Sequence, residues 1–136
     1  MAAPRDRLIR DWMTPDPVTI PGSTTVPDAY WLMVEKKIHR LLVVDRGVLT
    51  GIVTEEDLRS AFQSTTISIN PLRMNQILSE MPVRQLMSRD PVTIEPTATV
   101  LDAARLMLEN KISTLPILED SRVVGIVTEG DLFRVL

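Results

Sequence analysis

The chain has 136 residues, of which 44% are hydrophobic and 24% charged, a composition typical of a folded module rather than a disordered segment. Its formal net charge of -3 argues against a nucleic-acid partner, because it provides no overall attraction for a polyanion. Cysteine is absent and His39 is the single histidine, which disfavours thiolate or histidine metal centres and cysteine or Ser/His catalysis. The charged N-terminal residues and the absence of a long apolar run predict no signal peptide, no membrane partner and a cytoplasmic location.

The sequence is a tandem duplication. Residues Ile9–Phe62 align without a gap on Val83–Leu136. Three blocks fix this register: DPVTI occurs in both copies, TVPDA recurs as TVLDA, and GIVTEED recurs as GIVTEGD. Because an internal repeat decides the architecture, both copies should form the same elements.

The first copy predicts, in chain order, a short strand, a helix, a hairpin and a second helix. Val26, Ala29, Tyr30 and Met33 recur at the i, i+3, i+4, i+7 spacing of an amphipathic helix. Two branched apolar runs then flank a turn that uses Gly47, which predicts a hairpin. The acidic residues after the second run are typical of a helix start.

Each copy is therefore a β-α-β-β-α unit of the α/β (α+β) class. A sheet this small cannot easily bury both faces alone, so we expect the two copies to pack about a pseudo-twofold axis. The predicted boundaries are 1–62 for the N-terminal segment and first repeat, 63–82 for a linker, and 83–136 for the second repeat.

The linker has no counterpart in the other copy. Gln63–Ile69 is polar and β-branched and predicts an irregular crossing. Asn70 and Pro71 provide a helix-start signal ahead of an apolar stripe formed by Met74, Ile77, Leu78 and Met81. We expect this stripe to pack on the core of the module rather than to bind a partner.

The order DPVTI, TVxDAxxLMxExKI and a hairpin ending in GIVTExD resembles the cystathionine beta-synthase (CBS) domain, and two in tandem resemble a Bateman module. The resemblance covers residues 9–136. It implies a regulatory module without catalysis or a required cofactor. The implied ligand is AMP, ADP, ATP or S-adenosylmethionine, bound in clefts between the two copies.

Thr54 and Asp57, like Thr128 and Asp131 in the second copy, have the spacing of a helix capping box, which would explain them without any ligand. A helix N-terminus also offers N–H groups to a phosphate, and a carboxylate can accept from ribose hydroxyls. The resemblance implies these ligand roles, Asp on ribose and Thr on phosphate, and favours them in at least one copy.

His39 and Arg40 precede the first hairpin, a place where solvated surface is the ordinary interpretation. The resemblance implies that basic residues here meet phosphates, to which the arginine fork is suited. Because Ser113 and Thr114 stand there in the second copy, we expect the two clefts to differ in charge.

The remaining candidates that the resemblance places around the adenine could each equally be core. They are Val18, Thr19, Ile20, Ile38, Val92, Thr93, Ile94 and Ile112. Pro116 is a further ligand-binding candidate, at a place where the family commonly has a proline and where the first copy has Leu42.

The resemblance also implies a homodimer formed through exposed helices. Its predicted faces include Tyr30, Trp31, Val34, Leu58, Phe62, Leu132 and Phe133. The alternative to ligand sensing is a purely structural dimerisation module with empty clefts, or a regulatory part of a larger protein. An enzyme lacks support, because the sequence has no activated nucleophile, metal cluster or glycine-rich phosphate loop.

Overall fold

The computed structural model describes residues 3–66 and 71–135. The helices in these ranges are α1 (Val26–Lys36), α2 (Glu55–Thr66), α3 (Pro71–Glu80), α4 (Val100–Asn110) and α5 (Glu129–Val135). The strands are β1 (Thr14–Pro15), β2 (Thr19–Ile20), β3 (Arg40–Asp45), β4 (Val48–Thr54), β5 (Ser88–Arg89), β6 (Thr114–Glu119) and β7 (Arg122–Thr128). Short 3₁₀ turns occupy Pro4–Asp6, Ile9–Asp11 and Val83–Gln85. The predicted mixed α/β class is confirmed.

The chain divides into two compact units, each with its own sheet. The first-repeat unit is Val18–Asp90 and contains a four-stranded sheet in the order β2-β3-β4-β5. The second-repeat unit joins the residues up to Pro17 with those from Pro91 onward, and its sheet has the order β1-β7-β6. The units therefore differ from the sequence repeats in the segment that precedes each DPVTI block.

The short strand before each DPVTI block pairs with the hairpin of the other copy, so the two copies exchange these strands. Strand β1 pairs antiparallel with β7, with Thr14 opposite Ile126, and the equivalent strand β5 pairs with β4, with Ser88 opposite Ile52. Each short strand therefore completes the sheet of the other copy. Gly51 permits the close approach, because a Cβ there would lie 2.8 Å from both the carbonyl oxygen of Ser88 and a side-chain carbon of Met87.

Two equivalent side chains fix the exchanged segments. Ile9 is fully buried in the core of the second-repeat unit, and its N–H donates to the carbonyl of Ala98 at 2.9 Å. Val83 is fully buried in the core of the first-repeat unit, and its N–H donates to the carbonyl of Thr24 at 2.8 Å. The first residues of each sequence repeat thus belong to the core of the unit that the other repeat builds.

The hairpins and first helices follow the sequence patterns. Arg46 and Gly47 have φ of 52° and 77°, as the tight turn between β3 and β4 requires. Helix α1 begins after Thr25, whose Oγ1 accepts the N–H of Asp28 at 3.3 Å. The turn at Gly47 and a helix through Val26 were predicted, whereas the Thr25 cap was not.

The linker prediction is partly wrong. Helix α2 continues to Thr66, so Gln63–Thr66 is helical rather than irregular, whereas residues 67–69 and Asn70 lie outside the described residues. Helix α3 begins at Pro71 as expected. Leu78 is buried and Met81 packs on the first-repeat core, which confirms a core role for these two residues.

Two residues of the predicted dimer faces are not on the surface. Leu58 is fully buried in the first-repeat core and Leu132 is buried in the second. Each lies on the side of its helix that faces its own unit's sheet, so neither is available to a partner. Among the described helices, none combines the length and hydropathy needed to cross a bilayer.

The replacement Ile9→Ala is expected to destabilise the second-repeat unit by about 2–5 kcal/mol, because it leaves a cavity at a fully buried site. Native-state hydrogen exchange should therefore become faster in β6 and β7, while β3 and β4 keep their protection. Arg10→Ala, at an exposed neighbour, is the control. Faster exchange confined to β3 and β4 would contradict the exchange of segments.

Candidate functional site

Four of the predicted site residues meet at one end of the first-repeat sheet. We call the group His39, Arg40, Thr54 and Asp57 the first junction. Arg40 lies directly opposite Thr54 in the β3–β4 ladder, so their side chains project from the same face of the sheet. The N–H of Glu55 donates to the carbonyl of His39 at 2.9 Å, which ties the start of α2 to the strand entrance.

Reciprocal hydrogen bonds join Thr54 and Asp57. The Thr54 N–H donates to Asp57 Oδ2 at 2.9 Å, and the Asp57 N–H donates to Thr54 Oγ1 at 3.1 Å. The capping interpretation is therefore satisfied in full. Capping does not exclude a ligand, because Asp57 Oδ1 accepts no hydrogen bond from the described residues.

Arg40 is the second notable group of the first junction. Its side chain is half-buried, and within the described part of the chain no carboxylate forms an ion pair with it. A guanidinium without a partner at a strand end, beside a hydroxyl and a helix N-terminus, is well placed to bind an anion.

His39 is instead engaged with an acidic neighbour. Its Nδ1 lies 2.7 Å from Glu55 Oε2, and Glu55 Oε1 accepts from Arg59 at 2.7 Å. The hydrogen bond from His39, with a further contribution from Arg59, holds the pKa of Glu55 below its ordinary value, against an opposing effect of burial. The predicted contact of His39 with a phosphate stays a prediction.

The equivalent end of the second-repeat sheet, which we call the second junction, comprises Ser113, Thr114, Thr128 and Asp131. Thr114 lies opposite Thr128, and the two bonds between Thr128 and Asp131 are again reciprocal, at 2.9 Å and 3.3 Å. The Thr128 hydroxyl adds a bond to Asp131 Oδ2 at 3.2 Å. Asp131 Oδ1 is paired with the guanidinium of Arg134.

Thr114 differs from its counterpart Arg40 in more than charge. Its residue is 8% exposed, and its hydroxyl is buried without a hydrogen-bond partner among the described residues. Ser113 is half-buried. The two junctions therefore differ at this position, with a half-buried cation in one and a buried hydroxyl in the other. The predicted difference in charge between the two clefts stays a prediction.

The predicted adenine contacts differ in how far they are exposed to solvent. Ile20 and Ile94 belong to the buried cores of their units, whereas Thr19 is exposed. The half-buried candidates are Val18, Ile38, Val92, Thr93 and Ile112. Their contact with a ligand stays a prediction.

Pro116 is fully buried in β6. At the equivalent place in the first copy, the Leu42 N–H donates to the carbonyl of Val18 at 3.3 Å. Proline has no N–H to donate, so the second copy cannot form this bond. There Ile94 pairs with β6 through a single bridge to Ile117, whereas the first copy has the two-residue strand β2.

The sequence reasoning missed Arg134. The signal was present, because Asp131 and Arg134 are three residues apart on one helix, a spacing at which opposite charges meet. The first copy has Ser60 at the equivalent position, so a comparison of the two copies would have identified the difference.

The model of the CBS domain family matches residues 9–64 and 83–136. The chain belongs to the CBS domain family. It is 37% identical over 131 residues to the CBS domain-containing protein DDB_G0289609 of Dictyostelium discoideum, covering 95% of this chain and 90% of that protein.

Two solved structures of CBS pairs are similar to this one. The structure of CBSX2 in complex with AMP has a TM-score of 0.77 and 32% identity, covering 94% of each chain. The CBS domain pair of protein MJ0100, in complex with 5′-methylthioadenosine and S-adenosylmethionine, has a TM-score of 0.78 and 27% identity, again covering 94% of each chain.

The variant His39→Ala is expected to raise the pKa of Glu55 towards its ordinary value, because it removes the largest cause of the lowering. A carboxyl-detected NMR titration measures this pKa directly, and Arg59→Ala should also raise it, because Arg59 contributes to the lowering. A lowered folded-state pKa stabilises the native state above the unfolded pKa of Glu55, and this contribution is lost as the pH falls through the folded pKa. An unchanged Glu55 titration in His39→Ala would contradict the pairing.

Proposed function

We propose that the chain is a regulatory module that senses an adenosine-containing ligand and binds it at the first junction. The observation that carries this proposal is the combination of the unpaired guanidinium of Arg40 with the open carboxylate oxygen of Asp57 at one helix start. The AMP and S-adenosylmethionine complexes of similar CBS pairs support the choice of ligand class.

Each part of a nucleotide has a matching group there. The N-terminus of the twelve-residue helix α2 favours a phosphate, and Arg40 adds a charge-assisted donor. Asp57 Oδ1 can accept from a ribose hydroxyl. Val18 and Ile38 are half-buried apolar side chains suited to one face of an adenine.

This role is regulatory rather than catalytic, and it requires no cofactor. The comparisons indicate no catalytic family, and the polar groups described above are suited to binding and orienting a ligand rather than to activating a nucleophile. The cytoplasmic location predicted from the sequence stays a prediction.

Arg40→Ala is expected to weaken AMP binding by about 10- to 100-fold, which corresponds to about 1.5–3 kcal/mol for a charge-assisted contact, and to leave adenosine binding nearly unchanged. Isothermal titration calorimetry with both ligands at low and moderate salt measures the difference. Arg105→Ala, which removes the same charge from the exposed face of α4, is the control.

Each alternative gives a different result in that experiment. An equal loss of affinity for AMP and adenosine would indicate a packing role for Arg40. An unchanged affinity for both would mean that Arg40 does not contact the ligand. Absence of heat from the wild type with AMP, ATP and S-adenosylmethionine would contradict the proposed function and favour the structural dimerisation module.

We also propose a homodimer, on the evidence of the exposed face of α1. Trp31 is 64% exposed, Val34 is exposed beside it, and the Trp31 ring meets Tyr30 edge to face with centroids 5.7 Å apart. Monomers rarely leave such large apolar side chains together in water. The second-repeat unit presents Leu108 and Phe133, which are exposed as well.

Trp31→Glu is expected to shift the protein from dimer to monomer in sedimentation velocity at tens of micromolar, because a charge would have to be buried in the interface. Val48→Glu, at an exposed apolar residue beside the β3–β4 turn, makes the same chemical change away from α1 and should remain dimeric. A single 15.3 kDa species for the wild type would contradict the dimer.

A further inference from the structure

The two junctions share the reciprocal hydrogen bonds between threonine and aspartate. They differ in whether a second group binds the other carboxylate oxygen of the aspartate. We propose that Arg134 closes the second junction, so that the first junction carries the ligand of this chain. This inference rests on the proposed function, and it assigns to Arg134 the choice between the two copies.

The second aspartate has a partner on both of its oxygens. Asp131 Oδ2 accepts from the N–H and the hydroxyl of Thr128, and Oδ1 is paired with Arg134. The Asp131 side chain is only 11% exposed. In contrast, Oδ1 of Asp57 accepts nothing from the described residues.

A ribose hydroxyl competes poorly for such a carboxylate. The hydroxyl is a neutral donor, whereas the guanidinium also brings a positive charge and forms an ion pair with the carboxylate. Displacing Arg134 would also leave the Asp131 carboxylate, whose side chain is 11% exposed, without its charge partner. The Arg134 side chain is 66% exposed, so solvent screening reduces this cost. Both effects disfavour the second junction relative to the first.

The local sequence directs Arg134 to Asp131. The residue four positions before Arg134 is Gly130, which offers no competing carboxylate. A Cβ at Gly130 would make only an ordinary contact, 3.6 Å from Thr128 Oγ1, so steric space does not demand the glycine.

The first copy differs at both of these positions. Ser60 replaces the arginine and Glu56 replaces the glycine. The neighbouring basic residue, Arg59, is held by Glu55 at 2.7 Å. No basic side chain of the described residues is therefore paired with Asp57, and its Oδ1 stays open.

The side chains at the start of β3 and of β6 also favour the first junction. The first junction has the unpaired guanidinium of Arg40, whereas the second has Thr114, whose hydroxyl is buried. Arg134 already binds the aspartate of the second junction. A phosphorylated ligand therefore finds both an available cation and an available carboxylate at the first junction.

Calorimetric titration of the full chain with AMP tests the assignment. We expect one ligand per chain, a loss of at least about tenfold in affinity for Asp57→Asn, and wild-type affinity for Asp131→Asn. Thermal melts of the free variants show whether either substitution alters folding through its cap.

A transfer experiment tests the role of the arginine itself. The double variant Glu56→Gly/Ser60→Arg gives the first copy the pattern of the second and should weaken AMP binding by about tenfold. Glu56→Gly/Ser60→Ala is the matched control, which has the same glycine without the arginine and should bind like the wild type.

The outcomes separate the two proposals. Two equal sites per chain, loss of binding in Asp131→Asn but not in Asp57→Asn, or equal affinities of the two double variants would overturn the role of Arg134 and leave the proposed function standing. A wild type that binds neither AMP nor S-adenosylmethionine would overturn the proposed function itself.

Discussion

The reciprocal hydrogen bonds between Thr54 and Asp57 connect the strand, the helix and the candidate site of the first-repeat unit. They satisfy backbone N–H groups that the first turn of α2 would otherwise leave without partners. They also hold the Asp57 carboxylate beside Thr54, which lies opposite Arg40 in the sheet. Because one oxygen of Asp57 makes the cap, the other can serve a ligand without loss of the helix start.

Duplication preserved this arrangement in the second copy, and side-chain substitutions changed its chemistry. Thr128 and Asp131 repeat the cap with nearly the same distances. Arg134, however, adds an ion pair that the first copy lacks. A substitution one turn along the helix can therefore decide whether the aspartate of the repeated Thr–Asp pair is available to a ligand. Opposite charges three residues apart meet on a helix surface.

Because the short strands are exchanged, each unit is built from residues of both sequence repeats. Ile9 and Val83 are equivalent in the duplication, and each completes the core of the unit that the other copy builds. The glycines Gly51 and Gly125 admit the exchanged segments, because a side chain there would collide with a methionine. The candidate junctions lie at the opposite ends of β4 and β7 from the hairpin turns.

The sequence alone determined the duplication, the order of the elements, the hairpins and the Thr–Asp pairs, because these follow from local periodicity, turn residues and caps. It also led to the CBS family through its repeated motifs. Only the tertiary structure decided that β1 and β5 are exchanged, that Leu58 and Leu132 are buried, and that Arg134 occupies Asp131. These features depend on strand pairing and side-chain contacts between residues that periodicity does not distinguish, since a hydrophobic pattern fixes which face is buried but not which partner covers it.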